Sequence, residues 1–400
     1  MSTVDVLAER MVTGGLALAR EADGRVVLVE GAIPGERVRV TTRTRKGATL
    51  GSVVEVLDPS PDRVVEPCRH VARGCGGCDW QHIAPERQRR LRGEIVEDAL
   101  RRLGGVSDPV VGLGPPVPAE RSRGVLRLGV VDGVLGLRRR EGHDVVPIDD
   151  CLVAVPALAD LLTPGTVDPG EATDITLRVA GGTGERLLLA APSATGVRAP
   201  EDVTVVGAKE RGATETTVAG HRLRVSAPSF FQTRGAGAEA LVEVTRRFVE
   251  GAPEGTFVDL YGGVGLFAVT LGDDRPIVLV ERSKAAAADA RHNLADHRAR
   301  VIAQPVERWR PCPASVVVAD PARAGLGRAG VAKVDATGTG RLVLVSCDAA
   351  SLGRDTAALR AVGFDHVESV SIDMFGHTGH VEVVTRFDRP VPEGGAGELA

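Results

Sequence analysis

Short apolar runs alternate with helix-like stretches in the second half of the chain. Five such runs recur after residue 256, each three or four residues long and bounded by turn-forming residues. This alternation predicts a mainly parallel sheet covered by helices, a doubly wound, Rossmann-like α/β fold. The predicted strands are Phe257–Leu260, Ile277–Val280, Val301–Ala303, Val316–Ala319 and Leu342–Val345.

The first 226 residues show a different pattern, in which short β-rich runs are separated by glycine and proline. The runs within 1–60 predict a compact β-barrel. Those between 61 and 226 are spaced as in a mostly antiparallel sheet and are expected to form a central domain. The α/β domain is predicted to occupy 227–390, and the Gly- and Pro-rich residues 391–400 are expected to form a flexible tail.

An amphipathic helical pattern rich in arginine runs from Pro85 to Leu103. Its apolar stripe, which includes Ile95 and Leu100, is expected to face the core. The arginines are expected to form a solvated face: Arg87, Arg89, Arg90, Arg92, Arg101 and Arg102.

Charge is unevenly distributed along the chain. The segment from Arg37 to Arg140 holds 20 Arg and Lys against 12 Asp and Glu, a net charge of +8, although the whole chain has a net charge of −4. This asymmetry predicts a polyanionic partner such as RNA. Basic residues concentrate on one predicted hairpin of the barrel: Arg37, Arg39, Arg43, Arg45 and Lys46.

The chain shows no segment suited to membrane insertion or export. No apolar run approaches the roughly 20 residues of a membrane-spanning helix, and the N-terminus lacks the features of a secretory signal. We therefore expect a cytoplasmic monomer without an obligate protein partner. In that compartment the six cysteines are expected to be ligands or catalysts rather than disulfides.

A glycine-rich turn follows the first predicted strand of the α/β domain. From Asp259 to Gly265 it has the spacing D-x-x-x-G-x-G, with Gly263 as the first of the two glycines, rather than the G-x-G-x-x-G of a pyrophosphate site. The second strand ends in Glu281, an acidic residue placed to bond ribose hydroxyls. A cofactor with ribose and adenine but no phosphate fits this pattern, which predicts S-adenosylmethionine (SAM).

Three cysteines lie together in a glycine-containing loop with the spacing C-x6-C-x2-C. They are Cys68, Cys75 and Cys78, and Cys151 is the candidate for a fourth ligand. Four thiolates bind either zinc or an iron–sulfur cluster, and the spacing does not decide between the two.

Polar residues also follow later strands and are expected at the same sheet edge as the glycine turn. Asp320 follows the fourth strand. Cys347 follows the fifth strand and is a candidate nucleophile, and we expect the helix after it to lower the pKa of its thiol. Glu382, with His377 and His380 nearby in sequence, is expected within reach of this edge.

A thiol, a base and a methyl donor at one edge suit methylation of uracil at carbon 5. That carbon is a poor nucleophile until a thiolate adds at carbon 6, after which it can attack a sulfonium methyl and a base can remove the C5 proton. Cys347 is the candidate thiol and Glu382 the candidate base. Either Gln232 or Asp320 would bind the uracil edge, and a paired base would have to flip out to reach them.

Several motifs, in the same order along the chain, resemble the bacterial uracil-C5 RNA methyltransferases, which act on tRNA or 23S rRNA. The motifs are SFFQ at 229–232, DLYGGVG at 259–265, DPARAG at 320–325, VSC at 345–347 and DMFGHTGHVE at 373–382. In addition, 15–20 and 31–37 resemble the TRAM domain, an RNA-binding barrel.

The resemblance implies roles for particular residues. It implies a 4Fe–4S cluster on Cys68, Cys75, Cys78 and Cys151. It also implies Cys347 as the nucleophile and Glu382 as the base. The implied SAM contacts are Gln232, Tyr261, Glu281 and Asp320, in addition to the glycine turn.

The chain departs from the family pattern at three places. Leu266 stands where many members have Asn, Asp348-Ala349 replaces Asn-Pro, and Gly376 replaces a Pro. The first two substitutions bear on cofactor affinity and on the pKa of the neighbouring thiol.

Two other functions fit parts of the pattern. The Pro-Cys pair at Cys312 would suit an RNA cytosine-C5 methyltransferase, but Cys312 precedes the fourth strand and is expected at the far edge of the sheet. A non-catalytic RNA-binding protein with a metal-stapled fold would leave Cys347 and Glu382 unexplained.

Overall fold

The computed structural model describes residues 2–45, 47–140 and 142–389. Lys46 and the predicted tail at 391–400 lie outside the described residues. None of the helices within these three ranges is long and apolar enough to cross a membrane.

The first five strands close into a barrel, in the order β1-β2-β3-β5-β4. They are β1 (Ser2–Met11), β2 (Ala17–Arg20), β3 (Val26–Glu30), β4 (Arg37–Arg45) and β5 (Ala48–Asp58). Side chains alternate between the two faces of a strand, so Val38 and Val40 of β4 are buried whereas Arg37, Arg43 and Arg45 are exposed. The predicted basic residues described on this strand therefore share the outer face of the barrel.

A six-stranded sheet follows, in the order β12-β11-β10-β7-β8-β9, and all its pairings are antiparallel except that of β11 with β12. Before it come α1 (Pro85–Arg102) and β6 (Val111–Leu113). Its strands are β7 (Val125–Val131), β8 (Val134–Arg138), β9 (Val145–Pro147), β10 (Asp174–Val179), β11 (Arg186–Ala191) and β12 (Val203–Gly207). Helix α2 (Pro156–Ala159) and a 3-10 turn at Asp160–Leu162 lie between β9 and β10, and a hairpin of β13 (Ala213–Val218) and β14 (His221–Ser226) follows.

The remaining chain forms an α/β layer around an eight-stranded sheet in the order β17-β16-β15-β18-β19-β21-β20-β6. Its strands are β15 (Phe257–Leu260), β16 (Ile277–Glu281), β17 (Ala299–Ala303), β18 (Val316–Ala319), β19 (Arg341–Ser346), β20 (Asp365–Ser371) and β21 (Val383–Asp388). Its helices are α3 (Gly235–Val249), α4 (Leu266–Leu271), α5 (Lys284–Asn293), α6 (Gly327–Asp335) and α7 (Ala349–Ala361), with a 3-10 turn at Val306–Arg308.

The five strands predicted from the sequence pair in parallel, and the predicted fold class is confirmed. Because they are parallel, the residues that follow β15, β16, β18 and β19 meet at one edge of the sheet. Strand β21 runs antiparallel between β19 and β20 and brings the residue before it, Glu382, to the same edge.

One continuous apolar core joins the barrel to the α/β layer. Helix α1 packs against α7, and Leu91 and Ile95 belong to the same buried cluster as Leu352 and Leu359. Burying a side chain of this size stabilises a fold by about 1.5–3 kcal/mol. Trp80, which is 1% exposed, belongs to the same core and lies just after the cysteine loop. The barrel and the cysteine loop are therefore packed directly against the layer that carries the catalytic candidates.

Candidate active site

The glycine turn connects β15 to α4. Tyr261, Gly263 and Gly265 have φ values of 60°, 55° and 94°, so the backbone turns sharply between strand and helix. No atom lies within 4 Å of the point where a Cβ on Gly263 would stand. A ligand can therefore approach the backbone there closely. Burial raises the pKa of the Tyr261 hydroxyl to about 12, with Glu307 and Asp355 adding to the effect.

Glu281, at the end of β16, is tied to this turn. One oxygen of its carboxylate accepts a hydrogen bond from the Gly263 N–H at 3.0 Å, and the other accepts one from the Ser283 N–H at 2.6 Å. Each oxygen has a second lone pair, so the carboxylate can still accept bonds from ribose hydroxyls. The predicted neighbours Gly263 and Glu281 are thus brought together.

Two buried carboxyl groups lie beside the turn. Asp259 is fully buried; its Oδ2 accepts a hydrogen bond from the Ala268 N–H at 3.1 Å, and its Oδ1 has no partner. The pKa of Asp259 is raised to about 8, mainly by burial and to a smaller extent by Asp320 and Glu281. Burial also raises the pKa of Asp320. This edge of the sheet therefore concentrates acidic groups that a cationic ligand would stabilise.

Replacing Asp259 with Asn should reduce the pH dependence of stability. The folded-state pKa of about 8 lies above the ordinary value of 3.8. The carboxyl group therefore contributes most to stability below pH 4, and this contribution is lost as pH rises through 8. Asn cannot ionise, so its contribution does not change with pH. The unfolding free energy of the ligand-free Asp259→Asn variant, relative to that of the wild type, should therefore rise by an amount on the order of a few kcal/mol between pH 5 and pH 9. Denaturant midpoints of both proteins across that range measure the difference, and parallel curves would contradict the assignment.

Cys347 follows β19 and lies in a pocket of about 150 Å³. The pKa of its thiol is raised to about 11, mainly by burial and to a smaller extent by Glu382 and Asp320, although Arg323 lowers it. The expected lowering of the thiol pKa is therefore not found, because burial dominates. Asp348 already occupies the helix N-terminus, where its carboxylate accepts a hydrogen bond from the Ser351 N–H at 2.7 Å. The pocket is lined by Thr13, Gly14, Ile95, Arg323, Cys347, Asp348, Ala349, Gly379, His380 and Val381.

Glu382 is close enough to Cys347 and Asp320 for the three groups to interact electrostatically. Its side chain is 4% exposed. Burial raises the pKa of Glu382 well above its ordinary value, and Asp320 raises it further. Once ionised, such a carboxylate is a strong base. The predicted trio of Asp320, Cys347 and Glu382 is therefore assembled at one edge.

The two histidines considered as alternative bases have different surroundings. His380 lines the Cys347 pocket, with its Nε2 3.4 Å from the Arg323 guanidinium. His377 is buried, and its Nδ1 lies 3.2 Å from the Gln88 amide nitrogen. Burial lowers the pKa of both imidazoles.

Gln232 lines a second cavity, of about 570 Å³, between the central sheet and the start of α3. The segment before it is held by two residues. Buried Asp289 accepts hydrogen bonds from the Ser226 N–H at 2.9 Å and the Ser229 hydroxyl at 2.7 Å. In addition, Arg178 donates to the Ser226 and Ser229 carbonyls at 3.1 and 2.8 Å. Arg178 and Asp289, which sequence reasoning missed, thus position the SFFQ motif.

The four predicted ligand cysteines line one small cavity. Cys75, Cys78 and Cys151 are buried, and Cys68 is partly exposed. The pKa of Cys78 is raised to about 12, mainly by burial and to a smaller extent by the neighbouring Cys151. Within 2–45, 47–140 and 142–389, no three His, Cys, Asp or Glu side chains are grouped closely enough to hold a metal ion.

Cys312 lies elsewhere. It is partly exposed and precedes β18, at the end of that strand opposite Asp320. Burial raises the pKa of its thiol. Cys312 therefore lies at the sheet edge opposite Cys347. The sequence predicted this position.

The prediction of a fully solvated arginine face on α1 was wrong for Arg92. Its side chain is 2% exposed and donates hydrogen bonds to the Asp373 carboxylate at 3.1 Å and to the Phe375 carbonyl at 2.9 Å. Arg89 also pairs with Asp373, at 3.0 Å. The sequence did carry a sign of this, because Arg92 is three residues before Ile95 and falls on the apolar stripe.

The chain is similar over nearly its whole length to RNA methyltransferases. It is 34% identical over 413 residues to an uncharacterised RNA methyltransferase of Streptomyces avermitilis, covering 93% of this chain and 94% of that protein. It is 30% identical over 444 residues to the 23S rRNA (uracil(1939)-C(5))-methyltransferase RlmD of Halomonas elongata, covering 96% of this chain and 89% of that protein. A comparison with protein-family models gave no match.

A solved structure shares the fold across the whole molecule. The tRNA (uracil-54, C5)-methyltransferase of Pyrococcus abyssi, in complex with S-adenosyl-L-homocysteine, superposes with a TM-score of 0.73. The match covers 96% of this chain and 100% of that chain at 22% identity. With the sequence identities above, the chain belongs to the family of RNA methyltransferases that includes the 23S rRNA uracil-C5 enzymes.

Proposed function

We propose that this protein uses SAM to methylate carbon 5 of a specific uridine in structured RNA. One observation carries the proposal: a thiol, Cys347, lies beside the buried carboxyl groups of Glu382 and Asp320, at the sheet edge that also bears the glycine turn. The relative in Halomonas elongata is named for methylation of uracil C5 in 23S rRNA, and the solved structure is named for methylation of uracil C5 in tRNA. Both RNA classes are therefore candidate substrates.

SAM would bind at the glycine turn and supply an electrophilic methyl group on a sulfonium. The open space at Gly263 and the unpartnered oxygen of Asp259 support a ligand there. The acidic groups suit its positive charge. The residues proposed to hold it are Gln232, Tyr261, Gly263, Gly265, Glu281 and Asp320.

The chain's own residues would perform the covalent steps on uracil. The Cys347 thiolate adds to C6, which makes C5 nucleophilic towards the methyl group. Glu382 then takes the proton from the methylated C5, the C5–C6 double bond re-forms, and the thiolate leaves. The raised pKa of Glu382 favours this role, because a carboxylate with a high pKa binds a proton strongly.

RNA would reach the site across the barrel. The exposed basic residues of β4 face outward, and a TRAM-like role for the barrel is consistent with this charge. A target base in a stem or hairpin would flip into the Cys347 pocket. We propose that the enzyme acts as a monomer in the cytoplasm, where its candidate RNAs are made.

A methylation assay tests the function. The purified protein and labelled SAM should convert uridine to 5-methyluridine in RNA taken from a strain that lacks the gene, and mapping that RNA against wild-type RNA should show one missing 5-methyluridine. Labelling of cytosine instead would favour the cytosine-C5 alternative. Tight RNA binding without any methyl transfer would favour a non-catalytic protein.

We further propose that Cys68, Cys75, Cys78 and Cys151 hold a 4Fe–4S cluster. The position of all four thiols around one small cavity supports a shared ligand there.

Anaerobic purification should give a brown protein with about four irons per chain. Cys75→Ser should lose iron and stability together, since Cys75 is buried in the loop beside the barrel. Metal analysis and a thermal melt measure both. Cys312→Ser, outside the cavity, is the matched control and should retain its iron. Stoichiometric zinc without iron in the wild type would contradict the cluster.

A further inference from the structure

The turn before Glu382 has a backbone conformation that other segments impose. His377 has a φ of 62°, a region that non-glycine residues seldom adopt. Its carbonyl accepts hydrogen bonds from the N–H groups of Asp79 and Trp80, each at 3.0 Å. Its own N–H donates to the Gln88 side chain at 2.9 Å. The cysteine loop and α1 therefore fix this turn together.

The same turn meets the barrel at a very close approach. A Cβ on Gly379 would lie 2.3 Å from the Cα of Gly15, so only glycine fits. The indole N–H of Trp80 donates to the Gly15 carbonyl at 2.8 Å. The Asp79 carboxylate accepts a hydrogen bond from the Gly379 N–H at 3.0 Å. The barrel, the cysteine loop and the turn thus form one junction. Among the residues that the structure describes, Asp79 is the only one whose side chain forms a hydrogen bond with Gly379.

The junction leads directly to the reacting groups. Gly379 and His380 line the pocket that contains Cys347, and Thr13 and Gly14 of the barrel line it from the other side. Glu382 is three residues beyond Gly379. A small shift of the turn would therefore move the Glu382 carboxylate relative to a base held on Cys347.

We propose that Asp79 is a positioning residue for proton removal by Glu382. Fixed in the chain next to Cys78, its carboxylate holds Gly379, and Gly379 sets the position of the strand end that carries Glu382. The cysteine loop thereby acts on the last chemical step, without itself contacting the substrate. This inference rests on the proposed function, in which Glu382 removes the C5 proton.

The test compares Asp79→Ala with Asp79→Asn, whose amide oxygen can still accept the Gly379 bond. Asp98→Ala is the matched control, because the Asp98 carboxylate likewise links two parts of the fold, α1 and the barrel, at 2.9 Å from Arg10, but does not touch the turn. Four quantities are measured for each: 5-methyluridine turnover, protein–RNA adduct on a denaturing gel, SAM affinity and iron per chain. Hydrogen exchange of residues 377–382 supplies a fifth that does not depend on activity.

Asp79→Ala should lose turnover about 10–100-fold, the scale seen at metal sites when a residue that only orients a ligand is removed. It should accumulate adduct and exchange faster at 377–382, with SAM affinity and iron content unchanged. Asp79→Asn and Asp98→Ala should behave like the wild type. If Asp79→Ala does not fold, Asp79→Ser, too short to reach Gly379, replaces it with the same expectations.

The outcomes separate the inference from the proposed function on which it rests. An active wild type together with an Asp79→Ala variant that turns over normally, or that slows without accumulating adduct, overturns the role of Asp79. Loss of iron or of SAM affinity in that variant overturns it as well, because the effect would not be confined to the turn. A wild type that makes no 5-methyluridine overturns the proposed function itself.

Discussion

Glu382→Gln should still attack uracil and transfer the methyl group, then stop with RNA attached. Gln has nearly the shape of Glu but cannot take the C5 proton, so the adduct on Cys347 cannot eliminate. Turnover should fall by about 100- to 10,000-fold, the usual contribution of a general base. A protein–RNA band that survives denaturing electrophoresis and carries the methyl label from SAM is the measurement.

Cys347→Ala supplies the complementary result. It should bind RNA and SAM but form neither adduct nor product, a loss of roughly a thousand-fold or more.

In RNA containing 5-fluorouracil the wild type should stall as Glu382→Gln does, because fluorine replaces the proton. Normal turnover by Glu382→Gln would transfer the base role to another group, and His380, which lines the same pocket, would be examined first. Adduct formation by Cys347→Ala would refute the nucleophile.

Arg92→Met should destabilise the fold by about 3–5 kcal/mol, the cost of breaking a buried ion pair from one side. Met keeps much of the side-chain volume, but Asp373 is left with Arg89 alone and the Phe375 carbonyl loses a donor. Denaturant unfolding of the two proteins measures the change. Because the two lost contacts hold the segment that leads to Glu382, turnover should fall as well.

The matched control is Arg90→Met, on the same helix. The Arg90 side chain is 59% exposed and lies 3.9 Å from Asp62. Substitutions of this kind usually change stability by less than about 0.5 kcal/mol. Equal unfolding free energies for the Arg92 and Arg90 variants would show that the buried pair adds nothing to stability.

Sequence reasoning succeeded where a local pattern fixes the chemistry. The parallel sheet and the meeting of Gly263 with Glu281 follow from apolar runs and from the rule that strand ends share an edge. Asp320 and Cys347 were placed by the same rule. Each of these predictions needed only the residues of one strand and of the turn that follows it.

The features that the sequence did not predict depend on contacts between residues far apart in the chain. Arg92 and its partner Asp373 are separated by 281 positions, and Asp79 and Gly379 by 300. No periodicity within a helix or loop indicates such partners. The pKa of Cys347 was misjudged for the same reason, since burial and the approach of Glu382 arise only when β21 inserts beside β19.

Strand β6 limits how the protein can be divided and rebuilt. Val111–Leu113 pairs with β20 as the last strand of the eight-stranded sheet, although it lies more than 100 residues before β15 in the chain. A fragment that starts at Ser226 would expose the edge of β20, and such open edges promote aggregation. Engineers who wish to graft a new RNA-recognition barrel onto this enzyme would therefore have to carry residues 85–113 along with the catalytic portion.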